Sequence, residues 1–349
     1  MKQAMFRNVI AIERALGTGI IISSSKPIPE RAEQRIRAFV EEYESVLSRF
    51  RADSLVSRIA CAEHGGDFEF PAWAGPLFAI YDEFYAVTHG AFDACVGADL
   101  LALGYSNSVQ FVPESATSAS ACSGSWANYR RALPVKWADI SRDDGGTTLH
   151  TSHPVQLDFG AAGKGYFVDL VTQIIKDELS GDFPSDCDLP ADFDFLVNAG
   201  GDMRVCFSEE NSRIKVALEN PFDTTQAVGV ASIASGALCA SSSARRRWKA
   251  KDANCLADNA FESNLIATHL INALDGVPSQ KLAASWTYVP AKTCDFPAAY
   301  ADALATALFV SQESDLQKIV QTTSAEFAVI LPNHALRKTS AFPAHFFAE

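Results

Sequence analysis

No stretch of this sequence reaches membrane-spanning length, and residues 1–25 mix Arg7, Glu13 and Arg14 into a strand-like apolar pattern instead of the unbroken apolar core of a secretory signal. The cytoplasm is the expected address, an exported lipoprotein trimmed of its signal being the alternative. Basic residues are in short supply: 29 Lys and Arg face 42 Asp and Glu, a net charge of -13. That balance argues against non-specific binding to nucleic acid or to an anionic membrane surface. The eight cysteines include no CxxC pair and no histidine nearby at zinc-ligand spacing, which speaks against zinc binding and reads as free thiols in a reducing compartment. Internal repeats and a clean linker are absent too, so residues 1–349 are read as a single unit.

What is present is the composition of an ordinary globular protein: 349 residues, 48% hydrophobic and 20% charged, enough for a sizeable core. Ile36, Phe39, Val40, Tyr43, Val46, Leu47 and Phe50 recur at helical spacing and predict an amphipathic helix within 29–50. Leu77, Phe78, Ile80, Tyr81, Phe84 and Tyr85 predict a second, closing at Gly90. Tyr166, Phe167, Leu170, Val171, Ile174 and Ile175 predict a third with Gly181 beyond its end, and 298–310 a fourth. Strand-like segments fall at 8–12, 19–23, 195–198, 214–218, 228–233, 285–289 and 327–331. Helices and strands mix without a regular βαβ alternation, so the expected class is α+β. Residues 105–136, whose 106–125 part is rich in Ser and Ala, and the acidic 181–194 read as surface insertions.

The segment that carries chemistry is 158–169, DFGAAGKGYFVD, which runs directly into the third helix. Glycines and alanines there let backbone amides approach a bound group, and a helix N-terminus favours anions. It is not a Walker loop, which needs Gly six residues before its Lys and Ser or Thr after it; those places hold Asp158 and Gly165. Alone, the segment reads equally as a glycine-rich turn packed against a helix. Around it stand GAFD at 90–93, NAGGD at 198–202, HLINALDG at 269–276 and ADALATALFV at 301–310. This ordered set resembles the ApbE family, the FAD:protein FMN transferases. Seven family motifs find counterparts in the same order from about Leu16 to Val310.

The resemblance implies an ApbE-like (T-fold-like) α+β architecture, a single two-lobed unit, and transfer of FMN from FAD to a Thr or Ser hydroxyl of an acceptor protein with release of AMP. Asp302 and Thr306 lie four apart on one helix face, and their oxygens suit a hard cation such as Mg²⁺. In the family these two positions ligate the metal together with a loop carbonyl, here that of Ala161. Asp302 as a helix-start charge and Thr306 as a filler is the plainer alternative. By the same resemblance Asp158 and Lys164 contact FAD, Lys164 near the pyrophosphate; otherwise Lys164 is a solvated surface lysine. Ala91, Phe92 and Asp93 match the flavin-contacting segment, though they also read as a capping turn with a core aromatic. Leu16, Phe50 and Ile271 match further lining positions. His269 falls on the motif histidine, and a neutral imidazole there is suited to act as general base.

Several motif positions are altered. Asn272 and Ala273 stand where Asp-Pro is usual, and Asp275 replaces Thr before Gly276. The Ser-Glu-Leu-Ser-Arg-Leu-Asn segment reads SLVSRIA at 54–60, losing its closing amide, and Thr-Ser-Gly becomes Ser241-Ser242-Ser243 followed by Arg245, Arg246 and Arg247. That arginine run is either a guide for phosphate or an acidic acceptor peptide, or a solvated basic face. Competing readings are a FAD pyrophosphatase yielding FMN and AMP, a non-catalytic FAD-binding protein, and an unrelated scaffold with a coincidental loop.

Overall fold

Alternating apolar side chains build the centre of the protein, whose computed structural model describes residues 6–106, 109–111, 135–180, 192–250 and 265–347. An eight-stranded, wholly antiparallel sheet runs in the spatial order Asn8–Ala15, Thr18–Ser24, Phe195–Ala199, Asp202–Cys206, Gly236–Ser242, Ala284–Pro290, Glu326–Ile330, Leu336–Lys338. Within one strand Ala237 and Cys239 belong to the core on one face while Leu238 belongs to the core on the other, as a two-residue period requires.

Helices Glu30–Leu47, Ala74–Val87, Gly163–Ser180 and Pro297–Val310 share the first core with Ile20, Ile22, Val197 and Val289. The opposite face carries a three-stranded antiparallel sheet ordered Ala344–Phe346, Asp223–Ile233, Ile214–Asn220, whose Leu218, Ala231 and Ile233 pack with Val205, Trp286 and Ala328. Mixed helix and antiparallel sheet, without βαβ units, is the α+β class the sequence predicts.

The four predicted helices and seven predicted strands are all present, with their ends moved by a few residues. Glu30–Leu47 buries Ala32, Ile36, Val40, Tyr43 and Leu47, the expected stripe. Gly90 adopts φ +85° and donates its N–H to the Tyr85 carbonyl at 2.8 Å, closing the second helix. Pro297 occupies the first turn of the fourth, where its missing N–H costs nothing. Gly181 and most of the two expected insertions lie outside the described residues. Their described ends are part of the packing, since Tyr105 and Phe193 are both buried.

Two helices approach unusually closely. A Cβ on Gly165 would stand 2.1 Å from the Ala298 carbonyl oxygen, so only glycine allows Gly163–Ser180 and Pro297–Val310 to meet here. Alanines at 298, 299, 301, 303, 305 and 307, all buried, keep the second helix slim enough to sit in the middle of the core. Among the described residues no helix is long and apolar enough to cross a membrane, and Cys61, Cys95, Cys206, Cys239 and Cys294 are free thiols.

Candidate active site

The loop before the Gly163–Ser180 helix is fixed from several sides. Buried Phe159 meets the rings of Phe78, Tyr81 and Trp137 at 5.6, 5.2 and 5.7 Å. Asp158 donates its N–H to the Ala94 carbonyl at 2.7 Å and accepts from the Gly160 N–H with Oδ1 at 2.7 Å. Arg49 Nε donates to its other oxygen at 2.5 Å, and the Arg49 guanidinium lies over the rings of Phe50 and Tyr105. The Tyr43 hydroxyl donates to the Gly163 carbonyl at 2.8 Å. These contacts fix the turn, leaving Gly160 exposed and Ala161 and Lys164 half-buried at the cavity while Ala162, Gly163 and Gly165 are buried.

Lys164, in the first turn, reaches across to two carboxylates. Its Nζ stands 2.8 Å from Asp202 Oδ2 and 3.4 Å from both oxygens of Asp302, which also accepts the Gly165 N–H at 2.9 Å. Asp202 and Asp302 are both buried, so two negative charges share one ammonium in a poorly solvated place. Burial, and then the charge of Asp202, push the Asp302 carboxyl up to about 7 against the pull of Lys164 and the Gly165 N–H. Burial opposes the charge on Lys164, but Asp202 and Asp302 outweigh it and hold the ammonium above its ordinary range.

One turn on from Asp302, Thr306 Oγ1 lies 3.2 Å from Ser241 Oγ. Among the described residues no cluster of three His, Cys, Asp or Glu side chains forms a metal site. The side-chain donors that line the cavity there are oxygen donors, the carboxylates of Asp202 and Asp302 and the hydroxyls of Thr306 and Ser241. Such a set, with one negative charge left uncompensated, fits a hard divalent cation.

Asp169 fixes the helix that carries Asp302 and Thr306. Its two oxygens accept the N–H groups of Ala298 at 3.1 Å and Ala299 at 2.9 Å, capping that helix from a neighbouring one, while Arg204 Nη1 donates to Oδ1 at 2.8 Å. Burial pushes the Asp169 carboxyl up to about 6 despite Arg204.

His269 follows the short strand Ile266–Thr268, which pairs with Arg247–Lys249. Burial first, then the charges of Arg246 and Lys164, depress the imidazole well below 6.5, so the ring is neutral at pH 7. Its Nδ1 is buried and has no hydrogen-bond partner among the described residues. A neutral ring keeps a lone pair that can accept a proton, and the burial that holds it neutral also lowers its basicity. The altered loop beyond it turns back as a hairpin of Ile271–Asn272 and Val277–Pro278, with Asn272 accepting from the N–H groups of Leu274 and Gly276. Ala273 donates its N–H to the Ala91 carbonyl at 3.0 Å. Proline, usual at this position, has no N–H to give, so the substitution ties the histidine loop to the 91–93 segment.

All twelve residues singled out in the sequence line one cavity of about 600 Å³: Leu16, Phe50, Ala91, Phe92, Asp93, Asp158, Ala161, Lys164, His269, Ile271, Asp302 and Thr306. Their surroundings differ. Leu16 sits at φ +55° in the turn between the first two strands, its N–H bonded to Glu44 Oε1 at 2.8 Å. Phe92 is buried against Tyr81 and Phe84, and Asp93 accepts the N–H groups of Cys95 at 2.7 Å and Trp137 at 3.2 Å. Those two therefore serve the packing and capping that the plainer reading assigns them, at the cavity wall. Residues 54–60 form a short helix capped by Ser54 and contribute nothing to the cavity.

The sequence reading gave no role to Asp202, Arg49, Ser241 or Glu44, all of which line the cavity. Asp202 closes the NAGGD motif, and an acid ending a glycine turn was the available signal. Arg49 offered none, because its partner Asp158 is 109 residues away. Of the arginine run, Arg245, paired with Glu219, and Arg246 both line the cavity, and Arg247 enters the strand beside residues 266–268.

The family model described as "ApbE family" matches residues 16–331. Three solved structures share the fold at low identity. The ApbE protein of Thermotoga maritima is 20% identical with a TM-score of 0.69, covering 96% of this chain and 98% of its own. Pseudomonas stutzeri flavinyl transferase ApbE in its apo form is 20% identical with a TM-score of 0.64, covering 97% and 96%. Flavin transferase ApbE from Vibrio cholerae is 18% identical with a TM-score of 0.65, covering 96% and 98%. No curated protein matches the sequence.

Proposed function

The chain belongs to the ApbE family, and from that premise we propose that it is a FAD:protein FMN transferase, moving FMN from FAD to a Thr or Ser hydroxyl of an acceptor protein and releasing AMP. The observation that carries this reading is the meeting, in one cavity, of a helix N-terminus bearing Lys164, the Asp302–Thr306 oxygen pair and a neutral His269. A diphosphate needs positive potential that the chain's overall charge does not supply. Arg246 and the helix N-terminus provide it locally, and Lys164, whose charge Asp202 and Asp302 already share, would add to it with a divalent cation bound beside those carboxylates.

Asp302, Thr306 and the Ala161 carbonyl would hold Mg²⁺, which when bound supplies divalent charge against the pyrophosphate oxygens. The remaining work falls to the chain itself. Lys164 orients the diphosphate, and Asp202 keeps that ammonium charged. Phe50 and Ile271 shape the apolar part of the cavity. His269 accepts the proton of the acceptor hydroxyl as its oxygen bonds to the FMN phosphorus. The phosphorus–oxygen bond to AMP breaks, and AMP leaves with the electron pair.

Mass spectrometry of a threonine-bearing acceptor incubated with FAD and Mg²⁺ tests the reading. A flavin-phosphate adduct that disappears with Asp302→Ala and with His269→Ala is expected. FMN and AMP in solution without an adduct would instead make the protein a pyrophosphatase, and tightly bound FAD that stays intact would make it a binding protein.

A further inference from the structure

We propose that the acceptor protein docks by adding an extended segment to the free edge of the three-stranded sheet, along Ile214–Asn220, with its hydroxyl side chain turned into the cavity. The inference rests on the transferase reading and names how its second substrate is held. Among the described residues the strand Ile214–Asn220 pairs on one side only, with Asp223–Ile233, and ends its sheet. Edge strands offer a row of main-chain donors and acceptors that a partner strand completes.

Among the edges of the large and the three-stranded sheets, continuity with the site favours this one. Val216, Ala217, Leu218 and Glu219 line the same cavity as Lys164 and His269. The other open edges of the two sheets, Asn8–Ala15 and Leu336–Lys338 in the large one and Ala344–Phe346 in the small one, contribute no residue to it. Side-chain alternation makes the geometry specific. Leu218 is buried toward the large sheet and Val216 packs on the same side, while Lys215 and Ala217 face outward. An added strand follows the same two-residue period, so every second side chain points into the cavity and a one-residue slip would turn the hydroxyl away.

Charge agrees with a neutral or acidic segment. Arg245 and Arg246 line the cavity beside this strand, Arg245 paired with Glu219, and Lys215 is exposed on the strand itself, in a chain whose net charge is -13. Main-chain pairing supplies affinity with few demands on sequence, and register delivers the reacting oxygen.

The test uses the intact protein with FAD, Mg²⁺ and short synthetic peptides, each carrying one threonine among alanine, valine and glutamate, labelling being followed by mass spectrometry. In a labelled peptide, backbone N-methylation at alternate residues should slow adduct formation about tenfold per position, with little effect at the residues between. Amide exchange across 214–220 should slow on peptide addition, and exchange across 8–15 should not change. Labelling that is indifferent to methylation, with unchanged exchange at 214–220, overturns the docking proposal alone. Peptides that bind with slowed exchange but never receive flavin overturn the transferase reading, and peptides that neither bind nor react overturn both.

Discussion

Replacing Asp302 by asparagine should make the protein more stable and inactive at once. The carboxyl is buried beside Asp202, and its rise from 3.8 to about 7 measures the cost of keeping it charged. At about 1.4 kcal/mol per pKa unit the ceiling on that cost is on the order of 4 kcal/mol. Asparagine keeps an oxygen to accept the Gly165 N–H, while Lys164 and Asp202 readjust once one charge is gone, so a gain of about 2 kcal/mol is the expected outcome. For a chain of this size that is a rise of a few degrees in Tm.

The pH dependence has a definite sign. Because the folded-state pKa lies above the unfolded one, the native protein holds the extra proton between about pH 4 and 7, and the stability this contributes is lost as pH rises through that window. The advantage of Asp302→Asn should therefore be largest above pH 7 and fade toward pH 4. Thermal unfolding of metal-free protein across this range is the assay, repeated with Mg²⁺, which should raise the Tm of the native protein and not that of the variant. A variant less stable than the native protein at pH 8, or a difference that ignores pH, would refute the reasoning.

Other substitutions separate scaffold from chemistry. Gly165→Ala drives a methyl group into the Ala298 carbonyl and should cost several kcal/mol in denaturant unfolding, on the order seen for severe backbone clashes. Asp169→Ala removes the cap of the Pro297–Val310 helix and strands Arg204 in the core; a loss of about 3 to 5 kcal/mol is expected, read from the shift in urea midpoint. His269→Asn should leave FAD affinity by fluorescence titration within about twofold of native while lowering transfer at least about a hundredfold. With His269 depressed below 6.5, the native transfer rate at saturating Mg²⁺, which keeps Asp302 charged, should stay level from pH 6.5 to 8 and fall only on the acid side; a fall between pH 7 and 8 would contradict its role as the neutral base.

Much of this was legible in the sequence because the amphipathic helices and half-buried strands leave a period. Ile36, Val40, Tyr43 and Leu47 mark one face of a helix whose other face meets water. The strand Gly236–Ser242 was not legible, because it lies in the middle of the sheet with both faces covered and shows no alternation of polar and apolar residues. Asp202–Cys206 alternates Asp202 and Arg204 with Met203 and Val205 but is too short, at five residues, to stand out. At the site, the twelve residues carried over from motifs line the cavity, while the motif segment 54–60 does not. What the motifs did not disclose was long-range pairing: Arg49 with Asp158, Lys164 with Asp202, and the capping of one helix by Asp169 on another. The exchange of proline for Ala273 reads as a loss in the sequence, yet its N–H makes a bond to Ala91.

The most direct measurement is diffraction from crystals grown with FAD and Mn²⁺ in place of Mg²⁺, collected for the anomalous signal of the metal. The account predicts a single manganese peak within bonding distance of Asp302 and Thr306, with the diphosphate between it and Lys164. Manganese elsewhere, or a flavin bound with its diphosphate outside the cavity of Lys164 and His269, would contradict it.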